Sequence, residues 1–267
     1  MNIHYTLDVS LFSVFLIITF GAIFGSFSTF LGYRLFNTDK DIKLTGIRSI
    51  CCNCKHKLSI TDLIPIISFL CLNGKCRYCK KTIPVWHFIA EIMMILSFLA
   101  SLFYFKGINI NSVLMCMLCF CLITQSIIDY RTMMSSDILH LIEFFLVFFL
   151  AKNLNIKTCS IIITWFVVFF TFLLIAILMK KILKKDCLGF GDIKLFTILA
   201  PLFSIEKITL FFGLCGAFGI AFHILQIIIK YKIRHIHNKL SFFSEKKHEP
   251  FCFIPSIFFA FLLAFYF

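Results

Sequence analysis

Charged side chains are scarce in this 267-residue chain, at 15% against the usual quarter or so. A chain this poor in charge is not an intrinsically disordered one, which needs the opposite balance. Period-two alternation is missing from the apolar runs, so a membrane β-barrel is excluded as well. No internal repeat is visible, and no low-complexity tract beyond a richness in Phe, Ile and Leu. The N-terminus has no basic stretch ahead of its first apolar run, so that run reads as an uncleaved anchor and not as a signal peptide. What fills the chain is apolar: 60% is hydrophobic, and Phe alone takes 37 positions. One soluble core of this length cannot hide so much apolar surface. The composition points to an all-α, polytopic membrane helix bundle.

A membrane helix needs about 20 mostly apolar residues. Stretches near 9–33, 86–105, 113–129, 137–151, 157–179, 192–205, 208–229 and 251–267 qualify or nearly do, giving about eight spans. The fourth and sixth are short. Basic residues supply the orientation. Of the 26 Lys and Arg, 22 fall in the segments 34–84, 130–136, 180–194 and 230–250. Only Lys106, Lys152, Lys157 and Lys207 lie in the alternate loops. With eight crossings every rich loop is on one side, which the positive-inside rule makes cytoplasmic, with both termini outside. The net charge of +13 is then a matter of topology and anionic lipid, and no nucleic-acid partner is expected.

The chain divides into a first transmembrane anchor (1–33), a cytoplasmic loop (34–85) and a transmembrane bundle (86–267). Inside the loop, Cys51-Cys52-Asn53-Cys54 and Cys76-Arg77-Tyr78-Cys79 form two Cys-x-x-Cys pairs separated by 21 residues. Such pairs suit a tetrahedral zinc ion, each supplying two thiolates from one knuckle. A reducing cytoplasm favours metal over disulfide, and four thiolates leave no open position, so the site is structural. Cys52 and Cys71 are spare. The other seven Cys, including Cys116 and Cys119, lie in or near apolar spans and pack as small hydrophobes. Between the pairs, residues 62–70 read as a short interfacial helix, with Gly74 turning the chain into Cys76.

Ionisable groups at or inside spans are expensive and are functional candidates for that reason. Glu91, Asp129, Asp137, His140, Glu143, Asp192, Lys194 and His223 are such groups. Asp129 ends one apolar run; Asp192 follows Gly189-Phe190-Gly191 and starts another. Both fall at the cytoplasmic boundary. Two carboxylates meeting in a low-dielectric site titrate as a coupled pair. One can then activate water while the other, protonated, polarises a peptide carbonyl. Asp129 is preferred to Asp137 as the first member. Glu91 either lines the site or pairs with a basic group inside the bundle, and the pairing is preferred. Lys194 either pairs with Asp192 or snorkels. His140 and Glu143 read as boundary residues, and His223 as a satisfied polar group within the bundle. On residue chemistry alone, a protease, a transporter with an acidic relay and a zinc-bearing scaffold all remain open.

Gly25-Ser26-Phe27 with Tyr33-Arg34-Leu35, the two Cys-x-x-Cys pairs, Asp62-Leu63-Ile64-Pro65, Gly74-Lys75-Cys76-Arg77, Ile128-Asp129 and Gly189-Phe190-Gly191-Asp192-Ile193-Lys194 stand in this order. In that combination the chain resembles the bacterial type IV prepilin peptidases, or leader peptidase/N-methyltransferases, which are membrane aspartic proteases of the Gly-x-Gly-Asp class. The resemblance covers nearly the whole chain. It implies an inner-membrane endopeptidase that cuts the basic leader from prepilins or pseudopilins, after a Gly, on the cytoplasmic side. It implies Asp129 and Asp192 as the catalytic pair, supported by Gly189, Gly191 and Lys194, with Cys51, Cys54, Cys76 and Cys79 as zinc ligands. It also implies N-methylation of the new N-terminal residue from S-adenosylmethionine, although no glycine-rich nucleotide loop marks a site for that cofactor. The chain departs from the family at Thr29-Phe30-Leu31, at Ser135-Ser136-Asp137 and at Phe253-Ile254-Pro255.

Overall fold

A computed structural model describes residues 10–35, 49–51, 53–184, 188–237 and 252–267, with the backbone alone from 229 to 237. Cys52, Cys187 and the basic residues Lys40, Lys43, Arg48, Lys185, Lys239, Lys246 and Lys247 lie outside the described residues. The described chain is helical, with two isolated antiparallel bridges. Its helices are α1 (Leu11–Arg34), α2 (Ile67–Cys71), α3 (Val85–Tyr104), α4 (Ile110–Thr132), α5 (Asp137–Asn153), α6 (Thr158–Leu183), α7 (Phe190–Leu199), α8 (Ile205–His237) and α9 (Ile254–Tyr266).

Apart from α2, each helix coincides with one of the eight expected spans. Five are long and apolar enough to cross a membrane: α1, α3, α4, α6 and the Ile205–Ile228 part of α8. The other three have 17, 10 and 13 residues. At 1.5 Å per residue, α7 is about 15 Å long, half of a hydrocarbon core. It ends in a 3₁₀ turn, Ala200–Leu202, where Pro201 has no N–H to continue the ladder. The expected helix at 62–70 is also interrupted. A 3₁₀ turn covers Ile60–Leu63, α2 follows, and Ile66 between them has φ 63°.

The described residues within 1–128 and 136–157 form one compact unit, and those within 129–135 and 158–267 another. In the first, α1 packs along α3 through small residues. Its buried positions are Gly21, Gly25, Ser28, Thr29, Gly32 and Arg34, while Phe12, Phe15, Phe20 and Phe27 stay exposed. A Cβ at Gly25 would stand 2.6 Å from Glu91 Cα, so the two backbones touch there. In lipid, where burying Phe gains nothing over the acyl chains, this close contact holds helices together.

The second unit has an aromatic core. Phe172 stacks on Phe196 at 4.8 Å and meets Phe212 edge-on at 4.9 Å. Phe196 also meets Phe253, at 6.0 Å. These contacts tie α6, α7 and α8 to the entry of α9, each worth about 0.5–1.5 kcal/mol. Of α6 only Ile161 and Val168 are buried; Phe166, Phe170 and Leu174 face outward, as suits lipid.

The close α1–α3 approach makes a test. Gly25→Ala should lower stability by about 1–3 kcal/mol. Gly213→Ala, where an added Cβ meets nothing within 4 Å, should be neutral or slightly stabilising. Thermal unfolding in detergent compares them, and equal melting temperatures would contradict the packing account.

Candidate functional site

Two stretches of the loop fold into equivalent hairpins. Cys51 N–H donates to His56 O (2.9 Å) and Lys55 N–H to Cys51 O (2.9 Å). Cys76 N–H donates to Lys81 O (2.9 Å) and Lys80 N–H to Cys76 O (3.0 Å). Lys55 and Lys80, each following the second Cys of its pair, both have φ 58°. The bridges Ile50–Lys57 and Lys75–Thr82 close the two hairpins. This is a short structural repeat where none is visible in the composition, because only the Cys, the following Lys and the backbone path recur.

The hairpins bring the Sγ atoms of Cys51, Cys54, Cys76 and Cys79 within 4.8 Å of one another. Cys51 Sγ is 3.9 Å from Cys79 Sγ. A tetrahedral ion with metal–sulfur bonds of about 2.3 Å requires edges of roughly 3.8 Å. The four thiols therefore fit a metal ion. Burial raises the Cys51 thiol, but the N–H groups of Cys54 and Asn53 outweigh it and bring it down to about 7. One ligand is thus close to its ionised form before metal arrives.

Asp62 ties the segment between the hairpins to the second of them. Its carboxylate accepts from Ser59 Oγ (2.7 Å), Ser59 N–H (3.2 Å), Arg77 Nε (2.7 Å) and Tyr78 OH (3.3 Å). Burial would raise this carboxyl, yet the Ser59 donors and Arg77 outweigh it and hold it below the ordinary range. Gly74 turns the chain with φ +65°, as expected.

The second unit contains both Asp129 and Asp192. Asp192 stands in the first turn of α7, three residues after the N-cap Gly189. Its carboxylate accepts the Gly189 N–H, the reciprocal half of a capping box, so it is not itself the N-cap. A Cβ on Gly189 would stand 2.9 Å from Asp192 Oδ2, so a side chain there would push the carboxylate from its place. Gly191 lies in the same helical turn. Lys194 Nζ sits over the Phe190 ring, 5.0 Å from its centroid.

Asp129 is buried near the end of α4. Its Oδ2 accepts the Ile254 N–H at 3.0 Å, and the Phe253 N–H also points to it. Those are the free donors at the N-terminus of α9, where an anion is favoured. Asp129 and Asp192 lie within electrostatic reach of each other. The cradle at 253–254 was not apparent from sequence; its available signal was Pro255 in the first turn of an apolar helix.

Asp137, the rival to Asp129, is exposed in the first turn of α5 and belongs to the first unit. His140 and Glu143, in the first two turns of α5, are buried. Gln125 Nε2 donates to Ser136 O (3.1 Å) and Gln125 Oε1 accepts Ser136 N–H (3.0 Å). His140 Nδ1 lies 3.1 Å from Glu143 Oε2, and this network braces the start of α5. Among the described residues the partners of Glu91 are the Ile66 N–H at 2.7 Å and the Ser26 hydroxyl. His223 lies on an exposed face of α8. Cys116 and Cys119 are buried as packing residues.

Residues 19–105 match the family described as the Bacterial Peptidase A24 N-terminal domain, and residues 116–224 match the Type IV leader peptidase family. The chain is similar to the prepilin leader peptidase/N-methyltransferase of Vibrio cholerae serotype O1, 29% identical over 197 residues that cover 71% of this chain and 77% of that one. It is also similar to the proteins of the same name from Pectobacterium carotovorum subsp. carotovorum and Bacillus subtilis. The first is 28% identical, covering 67% of this chain and 71% of that protein. The second is 28% identical, covering 71% and 73%. No solved structure matches the chain.

Purified chain should carry about one metal ion, lost when Cys51 and Cys54 are both replaced by Ser. Elemental analysis checks this, and a fully active, metal-free wild type would contradict the four-thiolate site.

Proposed function

The chain belongs to the type IV leader peptidase family, and on that premise we propose that it removes the leader from prepilins or pseudopilins with Asp129 and Asp192 as its catalytic pair. The observation that carries this reading is that two carboxylates from different helices lie within electrostatic reach in one unit, each held by backbone N–H at a helix N-terminus. Fixed donors hold each side chain in place without neutralising it. That leaves the pair free to share a proton. The ionised carboxylate takes a proton from water as that water attacks the scissile carbonyl. The protonated one donates to the carbonyl oxygen, and proton return to the leaving nitrogen breaks the C–N bond. Gly189 and Gly191 allow peptide backbone to approach Asp192. Lys194 steadies the first turn of α7 from the Phe190 ring.

The chain is a multi-pass membrane protein. The clustering of 22 of its 26 basic residues in alternate loops supports an inner-membrane location with the cysteine loop and both aspartates facing the cytoplasm. The metal is zinc, held as a closed structural site by Cys51, Cys54, Cys76 and Cys79. The same protein N-methylates the residue exposed by cleavage, with S-adenosylmethionine supplying the methyl group.

Incubation with a prepilin, followed by mass measurement of the product, tests the reading. Wild type yields a product lacking its leader and carrying an added methyl group. Asp129→Asn or Asp192→Asn should reduce cleavage about a thousandfold or more while the protein still inserts and binds metal. Full cleavage by either single variant would overturn the assignment.

A further inference from the structure

Gln125 stands on α4 one turn before Asp129 and is fully buried, with buried Cys121, Leu122 and Ile128 around it on the helix. A primary amide in such surroundings costs free energy unless its donors and its acceptor are paired. Its partners lie across the turn that follows α4. Ser136 N–H donates to Gln125 Oε1 at 3.0 Å, and Gln125 Nε2 donates to Ser136 O at 3.1 Å. One side chain thus holds both backbone groups of a single residue. The Ser136 N–H needs an acceptor, and this fixes which end of the amide is the oxygen. Nε2 then also lies 3.3 Å from His140 Nδ1, and Glu143 holds His140 in turn. All four residues of this network are buried.

Between the two ends of this clamp runs the segment that carries Asp129. Helix α4 ends at Thr132, and Met133 closes it with φ 54° and an N–H donated to Asp129 O at 2.9 Å. That left-handed conformation favours glycine, so a methionine keeps it only where the surroundings hold it. Residues 133–136 belong to no helix or strand, and the N-cap Ser136 makes no side-chain cap bond to α5. The Gln125 amide pins the far end of this turn to the helix that began it. Ser136 also belongs to Ser135-Ser136-Asp137, one of the places where the chain departs from its family. We propose that Gln125 is a positioning residue for Asp129. By clamping Ser136 it fixes the last turn of α4, and with it the direction in which the Asp129 carboxylate meets the N–H groups of Phe253 and Ile254. Its effect on rate rests on the reading of Asp129 as one of the catalytic pair; its effect on where Asp129 lies does not.

Gln125→Met keeps the volume and removes both bonds. Thr124→Val, at the next position, removes a hydroxyl bonded within α4 to Phe120 O (2.7 Å) and serves as the structural control. Residue-resolved amide hydrogen exchange on the full chain in detergent comes first. The Ile254 N–H donates to Asp129 Oδ2, so its exchange reports where that carboxylate lies without any turnover. Exchange at Ser136 and at Ile254 should both rise about tenfold in Gln125→Met and keep the wild-type rate in Thr124→Val. A rise at Ser136 with Ile254 unchanged would reduce the clamp to a structural bond and overturn the positioning role. Prepilin cleavage comes second. The kcat of Gln125→Met should fall about tenfold or more with KM kept, while Thr124→Val matches wild type. An unchanged kcat in folded Gln125→Met would overturn the role as well. Wild type that leaves prepilin uncut would sink the peptidase reading, and a rise at Ile254 in the same preparations would leave the clamp on Asp129 standing. One comparison needs no variant: in wild type the Ser136 amide should exchange about tenfold more slowly than those of Met134 and Ser135, and equal rates would contradict the clamp.

Discussion

A carboxylate taken out of water must find donors or lose its charge, and the second unit is arranged around that constraint twice. Asp129 lies near the end of an apolar helix, and the first N–H groups of α9 come to it. Asp192 turns back on the N-terminus of its own helix, where Gly189 leaves room for the carboxylate. Helix ends supply these donors at fixed positions. Such donors stabilise charge without a counter-ion that would compete for the proton. The remaining architecture of the unit serves this arrangement. The rings of Phe172, Phe196, Phe212 and Phe253 fix where α7 and the turn into α9 lie, and thereby where both aspartates point.

The first unit solves a different problem. A loop of this length has too little apolar surface for a core of its own, and it substitutes two cysteine hairpins locked by a metal-ready cluster. Asp62 joins the intervening turn to the second hairpin, and Glu91 joins α2 to α3. The glycine face of α1 lets α3 approach backbone to backbone just where Glu91 emerges. Packing and the placement of Glu91 are therefore set by the same contact.

The cysteine cluster was legible in the sequence because metal binding demands particular residue types at particular intervals. The two aspartates stood out as ionisable groups at span ends, and only the family resemblance paired them. The eight apolar segments were legible too, although α7 and α9 fall short of a full crossing. What the sequence could not display were partners supplied by backbone. Phe253 and Ile254 act through N–H groups that any residue carries, so Phe253-Ile254-Pro255 read merely as a loose match to its family. Glu91 is a related case: a buried acid suggests an ionic partner, and among the described residues it has an amide and a hydroxyl. The buried contact of His140 with Gln125 was not visible either, because Gln125 lies 15 positions back on another helix.

The central claim is that Asp129 and Asp192 work as one unit. The most direct measurement compares prepilin cleavage rates of Asp129→Asn, Asp192→Asn and the double variant. If the carboxylates share one proton and one task, the double variant is no slower than either single one. If the two losses multiply, the aspartates act independently and the account of a coupled pair is wrong.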